Sequence, residues 1–236
     1  MTRPILEVCC GTLASALAAV EGGATRIELC SALSLDGLTP SMGTLCELRR
    51  RFPDLRIHVL IRPREGDFVY TEDEVRVMEQ DIRLAVEAGA SAIVSGALTA
   101  DHQIDLSVTS RLVAAAQGLP FTFHRAFDLV ADKDRALRSL SALGVTRVLT
   151  SGGAATAAEG IPVLRQLVCQ SATLPRPVII LPGGGVNRFN ARQILDETGT
   201  TEIHGSCSVM LACGLRQTAA SEVQAVLNSF SNTSGK

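Results

Sequence analysis

Tryptophan is absent from the sequence, tyrosine occurs once (Tyr70), and aromatic residues make up only 3% of it. Stacking platforms for nucleotides and single strands are built from such residues, so their scarcity speaks against that class of function. Neither sign of charge is in excess. Twenty-two Lys and Arg face 24 Asp and Glu, for a formal net charge of −2, which argues against a nucleic-acid binder relying on bulk electrostatics. No apolar run approaches the ~20 residues of a membrane span. The N-terminus turns strand-like within a few residues of Met1 and shows no secretory-signal pattern. No linker-like shift in composition divides the 236 residues. The expectation is a cytoplasmic protein with no membrane or nucleic-acid partner, forming a single domain over residues 1–236 with a frayed tail over 230–236.

The seven cysteines are an odd number, and nothing directs them to an oxidising compartment, so a disulfide framework is disfavoured. Cys10, Cys46 and Cys169 read as small packing residues. Cys207 and Cys213 follow the last strand-like run and read as exposed.

Eight short apolar runs begin near Ile5, Arg26, Ile57, Ala92, Phe121, Arg147, Val178 and Glu202, at intervals of 21 to 35 residues. Each has the length of a strand. Helical periodicity fills the intervals: Leu13–Val20, Met42–Phe52, Val75–Ala88, Ser107–Ala116, Asp132–Leu143, Ala155–Val168, Phe189–Glu197 and a last helix over Leu215–Phe230. Thr71-Glu72-Asp73-Glu74 is a capping box at the head of one of them. Strands alternating with helices imply parallel strands joined by right-handed crossovers. Eight such units in this length predict an α/β fold, a single (β/α)8 TIM barrel. The rival, an open doubly wound sheet, would carry a glycine-rich dinucleotide fingerprint after its first strand; that position reads Cys9-Cys10-Gly11-Thr12.

Barrel chemistry sits at the C-terminal ends of the strands, and side chains alternate between the helix layer and the interior. Assigning the apolar residues to the helix layer turns Glu7, Cys9, Glu28, Cys30, His58, Arg62, Thr122, His124, Glu202 and His204 inward. A barrel filled for stability alone would use Val, Ile and Leu there, and buried charges cost several kcal/mol each unless paired. Glu7, Glu28, His124 and His204 are therefore candidate acid–base groups. Candidate anion-binding groups are Arg62, Arg64 and Arg125, Ser151 and Gly152 after the sixth strand, and Gly183, Gly184 and Gly185 after the seventh. Glycine loops of this kind expose backbone N–H groups to a ligand. No lysine sits at a strand end, which argues against Schiff-base chemistry. Cys9 and Cys30 end adjacent strands, about 4.8 Å apart, so two thiolates are placed to share one ion. Two sulfur ligands suit soft Cu(I) better than four-coordinate Zn2+.

Seven stretches, in order, are LEVCCGTLASALAAVEGGATRIELCSALSLDGLTPS, IRPREGDFVYTEDEVRVMEQDI, GALTADHQID, FTFHRAFD, RVLTSGG, LPGGGVN and TEIHGS. On these the chain resembles the CutC family, described as copper homeostasis proteins. The resemblance implies a cytoplasmic (β/α)8 barrel that is a homo-oligomer, a dimer or tetramer. It also implies copper binding through the cysteines of the EVC and ELC strands, which here are Cys9 and Cys30, and it brings no enzymatic reaction with it. One departure follows the eighth strand. The family typically continues there with Ala-Arg and a longer basic, Met-containing segment; this sequence has the short uncharged stretch from Ser206 to Gly214. Two functions are thus expected in competition: a copper(I)-binding protein, or an enzyme acting on a small anionic or phosphorylated metabolite at the barrel mouth.

Overall fold

The computed structural model describes residues 4–230; the predicted frayed tail falls, apart from Phe230, outside the described residues. Eight parallel strands form the barrel wall: β1 (Ile5–Cys10), β2 (Arg26–Leu29), β3 (Arg56–Leu60), β4 (Ala92–Ser95), β5 (Phe121–Phe123), β6 (Arg147–Thr150), β7 (Ile179–Pro182) and β8 (Glu202–Gly205). Hydrogen-bonded neighbours run in the order β7-β6-β5-β4-β3-β2-β1-β8, so the ladder is continuous except between β7 and β8. The TIM-barrel expectation is met.

Eight helices, α1 (Leu13–Glu21), α2 (Met42–Arg51), α3 (Glu72–Glu87), α4 (Leu106–Ala115), α5 (Lys133–Ala142), α6 (Ile161–Ser171), α7 (Ala191–Thr198) and α8 (Ala220–Ser229), alternate with the strands. Their starts follow local chemistry. Thr71 and Glu74 complete the capping box of α3, and Thr12, Asp105 and Asp132 cap α1, α4 and α5 through side-chain oxygens, each cap worth about 1 kcal/mol. On α3 the residues Val75, Met78, Ile82 and Ala85 form the buried stripe, the 3.6-residue period that the sequence displays. Most buried apolar residues lie between the wall and this helical shell, among them Val8, Ile27, Ile57, Phe121 and Ile203. A separate small cluster fills the interior: Cys9, Cys30, Leu60 and Val94, with Leu33 against it. No helix among the described residues is long and apolar enough to cross a membrane.

Four expectations need correction. The predicted helix Ala155–Val168 starts at Ile161, because Pro162 lacks an N–H and fits only a first turn. The predicted start of the last helix at Leu215 is occupied by a hairpin, β9 (Ser208–Met210) paired antiparallel with β10 (Arg216–Thr218), and α8 begins at Ala220. Cys46 and Cys169 are exposed rather than packed: the buried faces of their helices are Leu45 and Leu48 on α2 and Leu164, Leu167 and Ser171 on α6, and both cysteines lie off those stripes. Cys10 is buried and Cys213 exposed, as expected, whereas Cys207, expected at the surface, is buried because its side chain joins the main apolar core.

Candidate functional site

Parallel register fixes which inward residues meet. In the β1–β2 ladder Glu7 stands opposite Arg26, and Cys9 opposite Glu28; in the β1–β8 ladder Glu7 stands opposite His204; in the β2–β3 ladder Glu28 stands opposite His58. One end of the barrel interior is therefore a closed ionic network. Glu7 is fully buried and lies 2.9 Å from Arg26 Nε, 2.7 Å from His58 Nδ1 and 2.9 Å from His204 Nδ1. Arg26 also donates to Glu202 at 2.5 Å, and Glu202 pairs with Arg147 at 2.9 Å. Burial alone would raise the Glu7 pKa, but His58, His204 and Arg26 together hold it well below the usual carboxylate range. Glu202 is likewise lowered by its two arginines against the effect of burial.

Above this network the barrel opens into a cavity of about 540 Å³, lined by Cys9, Glu28, Arg62, His124, Arg125, Gly184, Gly185 and His204 among others. Its volume lies within the range of metabolite-sized sites, roughly 300–1,000 Å³. On the β1–β2 side the Sγ atoms of Cys9 and Cys30 are 3.7 Å apart, and Cys9 Sγ is 3.7 Å from Glu28 Oε1. Donor atoms of Cys9, Glu28 and Cys30 all lie within 4.8 Å of one another, as do those of Glu7, Glu28 and His204. The Cys30 contact, burial and the Glu28 carboxylate push the Cys9 thiol well above its ordinary value. Burial raises Glu28 to about 7, against the pull of His204. Burial would lower His204, but its contacts with Cys9, Glu28 and Glu7 outweigh this and hold it well above the ordinary imidazole value.

The β5 side is different. His124 Nδ1 accepts the Ala126 N–H at 3.3 Å, and burial together with the Arg62 charge pushes the imidazole down to about 3. The ring is neutral at physiological pH, so it acts there as a hydrogen-bond donor and not as a charged acid. Arg62 spends its two terminal nitrogens on the carbonyls of Leu35, Gly37 and Gly66 at 2.7–3.1 Å. Arg125 is fixed by Asp128 at 2.9 Å and Ser151 Oγ at 3.1 Å.

The structure thus brings Cys9, Glu28, Arg62, His124, Arg125, Gly184, Gly185 and His204 to one cavity, sets Cys30 behind Cys9 at its edge, and leaves five candidates elsewhere. Glu7 is sealed below the cavity. Arg64 turns out to Glu74 at 2.5 Å and Asp67 at 2.9 Å, in the loop before α3. The Ser151 and Gly152 amides offer nothing to a ligand, because an internal group takes them. Asp128 accepts from Thr150 Oγ1, Ser151 N and Gly153 N at 2.5–3.1 Å, and Gly152 N donates to Thr150 Oγ1 at 2.9 Å. Gly183 lies at the loop base, where its N–H donates to the Thr150 carbonyl at 3.0 Å and an added Cβ would press on the end of the Leu149 side chain. The sequence reading missed Arg26 and Arg147. Alternation carried one step back from Glu28 would have placed Arg26 inside.

Comparison with known proteins comes to bear on this geometry. The family model described as "CutC family" matches residues 4–209. A CutC protein of Bacteroides thetaiotaomicron is 47% identical over 206 residues, 87% of this chain and 82% of that one. A copper homeostasis protein cutC homolog of Mus musculus is 45% identical over 212 residues, 90% and 76% of the two chains. A solved CutC structure from Streptococcus agalactiae superposes with a TM-score of 0.81 at 36% identity, covering 86% of this chain and 98% of that one.

Proposed function

The chain belongs to the CutC family, and from that premise we propose that it handles copper by holding Cu(I) between Cys9 and Cys30. One observation carries the reading: two thiols 3.7 Å apart at the edge of a cavity, both at least nine-tenths buried. Metal–thiolate bonds are roughly 2.3 Å long, so sulfur atoms at this separation reach a common ion with little movement. The donor set is poor for zinc, which wants four ligands. It suits a soft cation that accepts two sulfurs, with Glu28 as the nearest additional donor. Loading means displacing a proton from Cys9, whose pKa is raised.

The surrounding features fit this role. Free thiols used this way require a reducing compartment, which supports the cytoplasm. Exposed Phe189, Met210 and Leu215 support assembly into a homo-oligomer, which light scattering of the purified protein measures directly. The metal reading is tested by titrating Cu(I) against a competing chelator in reducing buffer. Cys9→Ser and Cys30→Ser each weaken binding by orders of magnitude, and the double variant abolishes it. A double variant that holds copper as tightly as the parent protein overturns the assignment.

A further inference from the structure

We propose that the β5 wall of the cavity is a second site, which binds a small organic oxyanion carrying a carbonyl or hydroxyl oxygen. In an eight-stranded wall β5 stands across from β1, so this surface faces the sulfur pair. Among the apolar side chains of Phe68, Leu129 and Leu149 it carries hydrogen-bond donors, and a cationic cargo uses none of them.

His124 is the first. Because Nδ1 accepts the Ala126 N–H, the neutral ring carries its proton on Nε2. That atom is shielded from solvent and has no partner among the described residues, in a residue 5% exposed. A buried donor left unpaired costs about 1–3 kcal/mol, and native structures rarely leave one without a use. Arg62 is the second. Its hydrogen bonds go to backbone carbonyls, its guanidinium lies 5.1 Å from the centre of the Phe68 ring, no carboxylate pairs with it among the described residues, and its Nε is buried without a partner there. Its charge therefore borders the cavity without a direct counter-ion. Arg125 is the third. Asp128 and Ser151 hold Nε and Nη2, which leaves Nη1 about the loop after β7. An added Cβ at Gly184 would lie 3.4 Å from that nitrogen. Gly184 and Gly185 have φ of +103° and +72°, which only glycine adopts easily, and their N–H groups donate to no acceptor among the described residues.

These groups divide the labour. The anionic end of a ligand takes Arg125 Nη1 and the Gly184 and Gly185 amides, under the field of Arg62. A neutral oxygen takes the His124 Nε2–H, which is a donor without charge. A single metal ion fills a small part of about 540 Å³; an organic anion accounts for the rest. This is the binding half of the enzyme expectation, and it stands whether or not the thiols bind copper.

The test is a titration of copper-free protein with glycerol 3-phosphate, glycolate and inorganic phosphate, following the imidazole nitrogens of the four histidines by long-range 1H–15N NMR. A saturable shift of His124 Nε2 is expected with the organic probes. Arg125→Gln weakens it at least about tenfold while leaving the Cu(I) titration unchanged, and Cys9→Ser leaves the anion titration unchanged. Tighter binding of glycerol 3-phosphate than glycolate assigns a phosphate ester; the reverse order assigns a carboxylate. Inorganic phosphate moving His124 as strongly as either removes the carbonyl or hydroxyl requirement and overturns the proposal as stated. So does the absence of a saturable shift with any probe, or a shift that Arg125→Gln does not weaken.

Discussion

Glu7 and Arg26 stand opposite one another in the β1–β2 ladder and form an ion pair at 2.9 Å with both side chains wholly sealed from solvent. Their partners extend the pair into a chain, through His58 and His204 on one side and Glu202 and Arg147 on the other. Removing one member of such a network leaves uncompensated charge in the interior, a loss of about 3–5 kcal/mol. Arg26→Met is expected to lower stability to urea by that order at neutral pH. A change of less than about 1 kcal/mol means that the network contributes little to holding the wall together.

Glu28 gives the opposite sign. Its folded pKa is about 7, against roughly 4.3 for an unfolded glutamate. Between those values the unfolded chain gives up the proton and the folded chain keeps it, so rising pH favours unfolding, and above 7 the folded protein carries the full penalty of a buried charge. Glu28→Gln removes that penalty. The variant is expected to exceed the parent in stability by on the order of 3 kcal/mol at pH 8, with the gain shrinking toward pH 4. Thermal unfolding of the pair across pH 4–8 reads it. A gain independent of pH contradicts the assignment.

Glu7 and Glu202 act at the acid end. Both carboxylates are held below the ordinary value, so their contribution is present above about pH 4.3 and is lost as pH falls through their folded values. The parent protein is expected to lose stability steeply below pH 4. The carboxamide pair Glu7→Gln with Glu202→Gln starts less stable and has a flatter acid limb, which circular dichroism during acid titration follows.

Copper uptake carries its own pH signature. The Cys9 thiol titrates well above the ordinary range, so near neutrality each ion bound there releases its proton. Apparent Cu(I) affinity is expected to rise at least about tenfold per pH unit between pH 6 and 8, measured by chelator competition. A flat profile excludes the Cys9 thiolate as a ligand.

Asp128 anchors the β6 loop through Thr150 Oγ1, the amides of Ser151 and Gly153, and Arg125. Asp128→Ala orphans these donors together. It is expected to cost roughly 2–4 kcal/mol and to release Arg125, so the anion titration at His124 weakens along with stability.

The sequence made the wall and most of its inward face readable because strand periodicity is local. Alternation along β1, β2, β5 and β8 was enough to bring Glu7, Cys9, Glu28, Cys30, His124 and His204 inside. Pairing across the barrel is not local, and that is where the reading stopped. Nothing in Thr150-Ser151-Gly152-Gly153 says that Asp128, from another loop, fills its amides. Nothing in Arg62 or Arg64 separates the arginine that turns into the cavity from the one that turns out to Glu74. The β9–β10 hairpin depends on residues six to ten apart finding each other around Gly214 at φ +82°, and its exposed Val209, Met210 and Leu215 blur the alternation that marks a half-buried strand.

The ladder that stops between β7 and β8 leaves the cylinder with one unstitched edge, and that edge runs between the Gly183–Gly185 loop and the strand bearing His204. Local opening follows the least hydrogen-bonded boundary. The two staves flanking that edge are thus expected to open first, ahead of β1 and β2, which carry the sulfur pair and the Glu7–Arg26 ion pair.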